Sequence, residues 1–229
     1  MICDLALVAP DGPVFRLARA PDPWAWPDWS RANPDGTFGN RWDDSQGTYR
    51  VLYASSQRLG AFLETFARFR PDLAVVAALA EIDGDGDPIA AGTVPDEWFA
   101  HRVLGTAELD GHYADIGAAA SLAVLRSRLA ARAIHHGLPD IDAATVRLAA
   151  PRRFTQEVSR LVYECQTADG DPHAGIRYRS RLDDATVNWA IFEPGPTLPH
   201  PLRPLGSERI RADDADVRGA MQALGLRLE

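Results

Sequence analysis

The chain has 229 residues, 46% of them hydrophobic and 24% charged, with a formal net charge of −8. That length suits one domain with a sizeable core, and the acidity argues against direct nucleic-acid binding or an anionic membrane surface as partner, since both need clustered cations. With no run of about 18 apolar residues and no basic stretch ahead of Asp4, neither a membrane span nor a signal peptide is expected, and the expected location is cytoplasmic.

Cys3 and Cys165 have no motif around them, so neither a disulfide framework nor a zinc site is expected. Pro13 to Leu17 reads as a first short strand that carries Arg16. Residues 18–36, ARAPDPWAWPDWSRANPDG, form a proline- and tryptophan-rich loop. Its indoles, Trp24, Trp26 and Trp29, will not sit bare in water. Either they pin the loop to the domain, or the loop is a wall of a site beginning at Arg41.

Asp44 to Gly47 make a turn. Tyr49 to Ala54 follows as a strand, with Tyr49, Val51 and Tyr53 alternating against Arg50, Leu52 and Ala54. Ser55 or Ser56 offers a hydroxyl to cap a helix whose apolar stripe is Leu59, Phe62, Leu63, Phe66 and Phe69, closed by Pro71. The other helix face holds Gly60, Glu64 and Ala67, and a lone carboxylate between two small residues has space in front of it. Arg41, Tyr53 and Glu64 therefore come from a loop, a strand and a helix in succession that can converge on one cleft.

Leu73 to Ile82 is an apolar run, a strand or a buried helix. Asp83 to Pro88, DGDGDP, imitates a calcium loop, but Pro88 and Val94 stand where that loop needs Gly and Glu, so an acidic turn is expected. Pro95 to Trp98 opens a short helix. Asp115 is expected to cap a longer one with Leu122, Leu125, Leu129 and Ala133 on one face, ending at Gly137. Thr155 is expected to cap the next, with the stripe Val158, Leu161, Val162 and Cys165. Gly175 to Arg181, GIRYRSR, reads as a strand on which Tyr178 and Ser180 share a face, and Asn188 to Phe192 as a core strand. The prolines from Pro194 to Pro204 indicate an extended linker, and Asp213 or Asp214 caps a final helix stopped by Gly225. The histidines show no metal-ligand spacing.

The fragments GNRWD, VLYAS and GAFLET, followed downstream by TQEVSRLVYE, GIRYRSR and NWAIFE, resemble the RES-domain family over about residues 13 to 195. The Arg, Glu and Ser of that name fall on Arg41, Glu64 and Ser180. The resemblance implies an α/β (α+β) fold akin to ADP-ribosyltransferases, a single domain with a bent mixed sheet flanked by helices; the proline-rich linker and helix of residues 196–229 follow that core and lie outside the resemblance. It implies an NAD-consuming activity, with water or inorganic phosphate as co-substrate and no metal or resident cofactor. As partner it implies an antitoxin with a helix-turn-helix DNA-binding part that blocks the cleft of a bacterial toxin, within a complex that can contain more than one copy of this chain.

The residue types fit that chemistry. Cleaving the N-ribosyl bond of NAD leaves a ribosyl cation-like centre. An arginine grips pyrophosphate with a planar fork that keeps its charge. A carboxylate bonds ribose hydroxyls and stabilises the developing cation. A tyrosine ring stacks on nicotinamide, and a serine hydroxyl bonds phosphate or ribose. Arg41, Glu64 and Tyr53 are thus the catalytic candidates, and Ser180, Tyr178 and Arg16 the substrate-binding ones. The competing readings are transfer of ADP-ribose onto a protein and a non-catalytic interaction protein on the same fold. A serine hydrolase has no G-x-S-x-G to support it.

Overall fold

A computed structural model describes residues 1–74, 92–148 and 150–229. The apolar run from Leu73 and the Asp83–Pro88 turn fall mostly or wholly outside those residues. The described chain is a mixed α/β structure. Its main sheet has strands β1 (Leu7–Val8), β2 (Val14–Arg19), β3 (Val51–Ser55), β5 (Arg102–Leu109), β6 (Tyr113–Asp115), β7 (Gly175–Arg179), β8 (Val187–Phe192) and β9 (Leu202–Arg209). Their order across the sheet is β1-β6-β7-β8-β3-β2-β5-β9. β6 and β7 run parallel and the other neighbours antiparallel. A small parallel pair joins β4 (Thr93–Val94) to β10 (Arg227–Leu228). The helices are α1 (Arg58–Phe66), α2 (Glu97–Ala100), α3 (Ala119–His135), α4 (Ala143–Arg147), α5 (Arg152–Glu164) and α6 (Ala215–Leu224). None of the described helices is long and apolar enough to cross a membrane.

Alternation along the strands sets two faces with different coverings. On one face, Val51, Ile176, Ala190 and Phe192 pack under α3 and α5 through Leu125, Val158 and Val162. On the same face, toward β2 and β5, Phe15, Leu17 and Leu104 pack under α1 and α6 through Phe62, Phe66, Val217 and Met221. Between these two helical caps the sheet carries polar side chains instead. The opposite face buries Leu52, Ala54, Trp189 and Ile191 under Trp24 of the proline-rich loop. The tryptophan loop therefore roofs the far side of the sheet. A Cβ at Gly105 would stand 2.5 Å from Pro23 and 2.7 Å from the Trp24 indole nitrogen, so glycine there lets the loop lie flat on β5.

Several local expectations need correction. The proline-rich tail includes a strand: β9 pairs with β5 along its length, and Pro204 is tolerated because β9 is the sheet edge. Asp115 does not cap α3. It ends β6 and pairs with Arg177 at 2.7 Å, while α3 starts after Ala118 with no side-chain cap. Thr155 lies inside α5, which begins after Pro151. At α1 the cap position is Gln57, and Ser55 is the last residue of β3. Asp214 does cap α6, and Gly225 ends it in the left-handed region at φ 65°.

Cys3 and Cys165 are joined by a disulfide with Cα atoms 5.6 Å apart, 162 residues apart in sequence. The N-terminal segment runs beside the exit of α5. The Cys3 amide donates to the Gln166 carbonyl at 3.2 Å and the Gln166 amide to the Met1 carbonyl at 2.7 Å. A pairing over so long a separation leaves no spacing pattern to read, which is why the sequence argues against it.

Candidate active site

The polar strip between the two helical caps is built in rungs. Ser55, Asn188 and Tyr178 stand opposite one another on β3, β8 and β7, and Tyr53, Ala190 and Ile176 make the next rung. Residues directly opposed in antiparallel strands share a face, so Tyr53, Tyr178 and Asn188 floor one cleft.

Glu64 enters from α1. Its Oε1 accepts a hydrogen bond from Ser180 Oγ at 2.6 Å and another from Asn188 Nδ2 at 2.7 Å. Ser180, just past β7, is 1% exposed, and its Oγ also accepts from the Leu182 amide at 2.9 Å. The single hydroxyl proton of Ser180 therefore goes to Glu64. No hydrogen bond reaches Glu64 Oε2 among the described residues, and Glu64 itself is exposed, so that oxygen is open to a ligand.

Gly60 is what brings α1 so close. It lies one turn before Glu64 on the same face. A Cβ there would stand 2.3 Å from Ser55 Oγ and 2.6 Å from Thr186 Cγ2. Gly60→Ala gains helix propensity of about 0.5–1 kcal/mol, but the added carbon must push α1 off the sheet. A displacement of about 1 Å at a reacting group costs on the order of 10²-fold in rate. If the cleft cleaves NAD, as the sequence resemblance implies, the expected result is a folded protein with strongly reduced turnover, read by comparing melting and NAD loss in the variant and wild type. Wild-type turnover in Gly60→Ala would show that Glu64 does not depend on this close approach.

Arg41 comes from the loop before β3. Its guanidinium lies 4.7 Å from the centre of the Trp42 ring and 5.1 Å from that of Tyr178, and those centres are 5.5 Å apart, so the cation sits beside a pair of rings that touch each other. One terminal nitrogen donates to the Val146 carbonyl, and Nε is buried with no partner among the described residues. Burial lowers the Arg41 pKa, while Tyr178 and Glu64 oppose the shift; an arginine keeps its proton under both influences.

Tyr53 braces this loop. Its hydroxyl donates to Asp43 Oδ1 at 2.7 Å and accepts from the Trp42 amide at 2.9 Å. Asp43 is held by the Asn40 amide at 2.7 Å, and burial raises its pKa. Burial likewise raises the pKa values of Tyr53 and Tyr178, so both phenols stay protonated. The Tyr53 hydroxyl is engaged in placing Arg41, which leaves the ring as the part available to a ligand.

Arg16 is the one candidate set apart. In β2 the residue that opposes Ser55 is Phe15, so Arg16 points to the other face. There it donates to the carbonyls of Pro23 at 2.9 Å and Tyr53 at 2.8 Å, and burial lowers its pKa to about 10. Arg16 ties the tryptophan loop to the back of β3. The sequence misses Asn188, Trp42 and Arg147. The signal for Asn188 was present: an asparagine opening an apolar strand is a buried polar group that needs a partner. Arg147 supports Ser180 by donating to its carbonyl at 3.0 Å.

Arg41 and Tyr178 also line a cavity of about 480 Å³ at the start of α3 and α4, together with Arg147, Arg179 and the Arg177–Asp115 pair, while Tyr53, Glu64, Ser180 and Asn188 are not among its lining residues. A basic cavity in a chain of net charge −8 is a local feature that bulk composition hides. A larger groove of about 590 Å³ between α3 and α5 is lined by Arg132, Glu157 and Arg160 and by none of the candidate residues.

The fold has a counterpart of known structure. A chain of the M. tuberculosis MbcT–MbcA toxin–antitoxin complex superposes with a TM-score of 0.53 at 10% identity, covering 96% of this chain and 92% of that one. No curated protein matches the sequence. The RES domain matches residues 13–209, which includes β2 through β9 and every residue of the cleft, and the chain belongs to the RES-domain family.

Proposed function

We propose that this protein cleaves the nicotinamide N-ribosyl bond of NAD and acts as the toxin of a toxin–antitoxin pair. The observation that carries the reading is Glu64: a carboxylate with one oxygen anchored by Ser180 and Asn188, the other open, in a cleft that also holds an arginine packed beside two aromatic rings. In this reading Arg41 and the basic cavity hold the pyrophosphate, the rings of Tyr53 and Tyr178 flank the nicotinamide end, and Glu64 faces the ribose. The bond from C1′ to the nicotinamide nitrogen breaks and the electron pair leaves with nicotinamide. An oxygen of water or inorganic phosphate then bonds C1′, giving ADP-ribose or ADP-ribose 1-phosphate and releasing a proton to solvent where the acceptor carried one. Negative charge on Glu64 stabilises the cation that forms between these events.

The resemblance to a chain of a toxin–antitoxin complex supports an antitoxin as partner. The antitoxin is proposed to carry a helix-turn-helix DNA-binding part and to cover the cleft. The test is incubation of the purified protein with NAD, with and without phosphate, and identification of the products. Nicotinamide release in equal amount to NAD loss is expected, and ADP-ribose 1-phosphate will form only in the phosphate arm if phosphate is the acceptor. Intact NAD in both arms, from protein shown to be folded, would overturn the reading.

A further inference from the structure

Asn188 is 1% exposed in the middle of the sheet, with the apolar residues Trp189, Ala190, Ile191 and Phe192 following it on β8. Its Nδ2 donates to Glu64 Oε1, and its Oδ1 is buried with no partner among the described residues. A buried amide with one unsatisfied end is a poor choice for stability, because the lost hydration of Oδ1 is not recovered. An apolar side chain of similar volume would pack there at lower cost. The donor on Nδ2 is the part of this residue that has a use.

We infer that Asn188 is a positioning residue for Glu64. This rests on the reading of the cleft as the NAD-cleaving site. Two neutral donors, Ser180 Oγ and Asn188 Nδ2, converge on Oε1 and fix the carboxylate plane, so Oε2 is presented toward the ribose. Neutrality is essential to the role. A second carboxylate in the place of Asn188 would hold a proton jointly with Glu64.

The other charged or titratable groups around this pair are Arg41 from the loop, Arg147 from α4, Tyr178 from β7, Tyr53 from β3 with Asp43 behind it, and Arg181 beyond Ser180. All of them are common to the variants below, so their titration cancels in the comparison.

The test uses the full chain with Asn188→Asp and with the double variant Glu64→Gln/Asn188→Asp. For Asn188→Asp, kcat for NAD near neutral pH is expected to fall about 10²-fold with KM little changed. Turnover should recover as the pH is lowered, because the carboxyl introduced on β8, once protonated, again donates to Glu64. A carboxyl buried at a site that only packs would titrate too, so the readout that assigns the effect to Glu64 is its relief by Glu64→Gln. Stability gives a second readout that needs no activity. The shared proton raises the folded-state pKa of the carboxyl pair above its unfolded value. Its stabilising contribution is therefore present at low pH and lost as the pH rises. Asn188→Asp should melt below wild type in alkaline buffer, and the gap should close on acidification. In the double variant the amide introduced on α1 can donate to the carboxylate introduced on β8, so melting should recover while turnover stays lost. A wild-type pH profile of turnover in Asn188→Asp would overturn the inference. If wild-type protein does not cleave NAD, the function fails on its own evidence, and the melting series still decides the contact: a gap that ignores pH and is not relieved by Glu64→Gln overturns it.

Discussion

Glu64→Gln is expected to give a folded protein that cleaves NAD about 10²–10³-fold more slowly, a loss of roughly 2.7–4 kcal/mol in transition-state stabilisation. The glutamine carbonyl can take the place of Oε1 and keep both hydrogen bonds, from Ser180 and Asn188. The swap also keeps the size of the side chain and most of its helix propensity. What it removes is the negative charge at the open position, where Oε2 becomes an amide. NAD affinity should fall much less, because Arg41 and the rings of Trp42 and Tyr178 are untouched. Arg41→Ala gives the contrast. It removes the cation beside those rings and the bond to the Val146 carbonyl, so binding and turnover should both weaken. Steady-state rates and equilibrium NAD binding for both variants, with melting curves as the fold control, read this out. Wild-type turnover by folded Glu64→Gln would make Glu64 a surface carboxylate and undo the site assignment.

Cys165→Ala is expected to lower stability by about 2–5 kcal/mol, since the disulfide closes a long loop and its loss frees the unfolded chain. For a chain of this size that corresponds to a fall in melting temperature of roughly 4–20 °C, at about 2–4 °C per kcal/mol. The bond is 162 residues wide and anchors the N-terminal segment to the exit of α5. Both cysteines belong to the cluster that holds α3 and α5 on the sheet, so the damage should spread through that cap. Reductant should move the wild-type melting curve toward that of Cys165→Ala and leave the variant unmoved. Wild-type curves that coincide with and without reductant would mean that the thiols are unpaired in solution.

The stretch from Arg41 to Glu64 was legible because its signals are local. A β-branched and aromatic run predicts β3, and a stripe at helical spacing predicts α1. β7 and β8 were legible for the same reason. The meeting of Glu64 and Ser180 could be anticipated only through the family's named residues, and that of Asn188 with them not at all, because it depends on the strand order across the sheet. Arg16 shows the limit from the other side. One residue of register separates it from Phe15, and that step turns its side chain to the back of the sheet. β5 and β9 were missed because one has a mixed pattern and the other carries a proline and a glycine. Both exist through pairing, and β9 gains its stability from an edge position where the proline leaves no bond unmade in the sheet. The disulfide and the back-side packing of the tryptophan loop are likewise contacts between distant segments, which periodicity does not record.

The C-terminal helix carries the packed structure past the end of the family match. The RES match stops at residue 209, before α6 begins. Yet α6 buries Val217, Ala220 and Met221 against Phe62 and Phe66 of α1, the helix that carries Glu64. At the start of α1, Arg58 binds Glu208 at 2.9 Å, Asp214 at 2.7 Å and Asp216 at 2.6 Å, so it straddles that limit. A chain cut at the last matched residue would contain every side chain of the cleft and lack the surface that α1 leans on. For truncations, fusions and tags, the last twenty residues are the backing of the helix that carries Glu64 rather than a dispensable appendage.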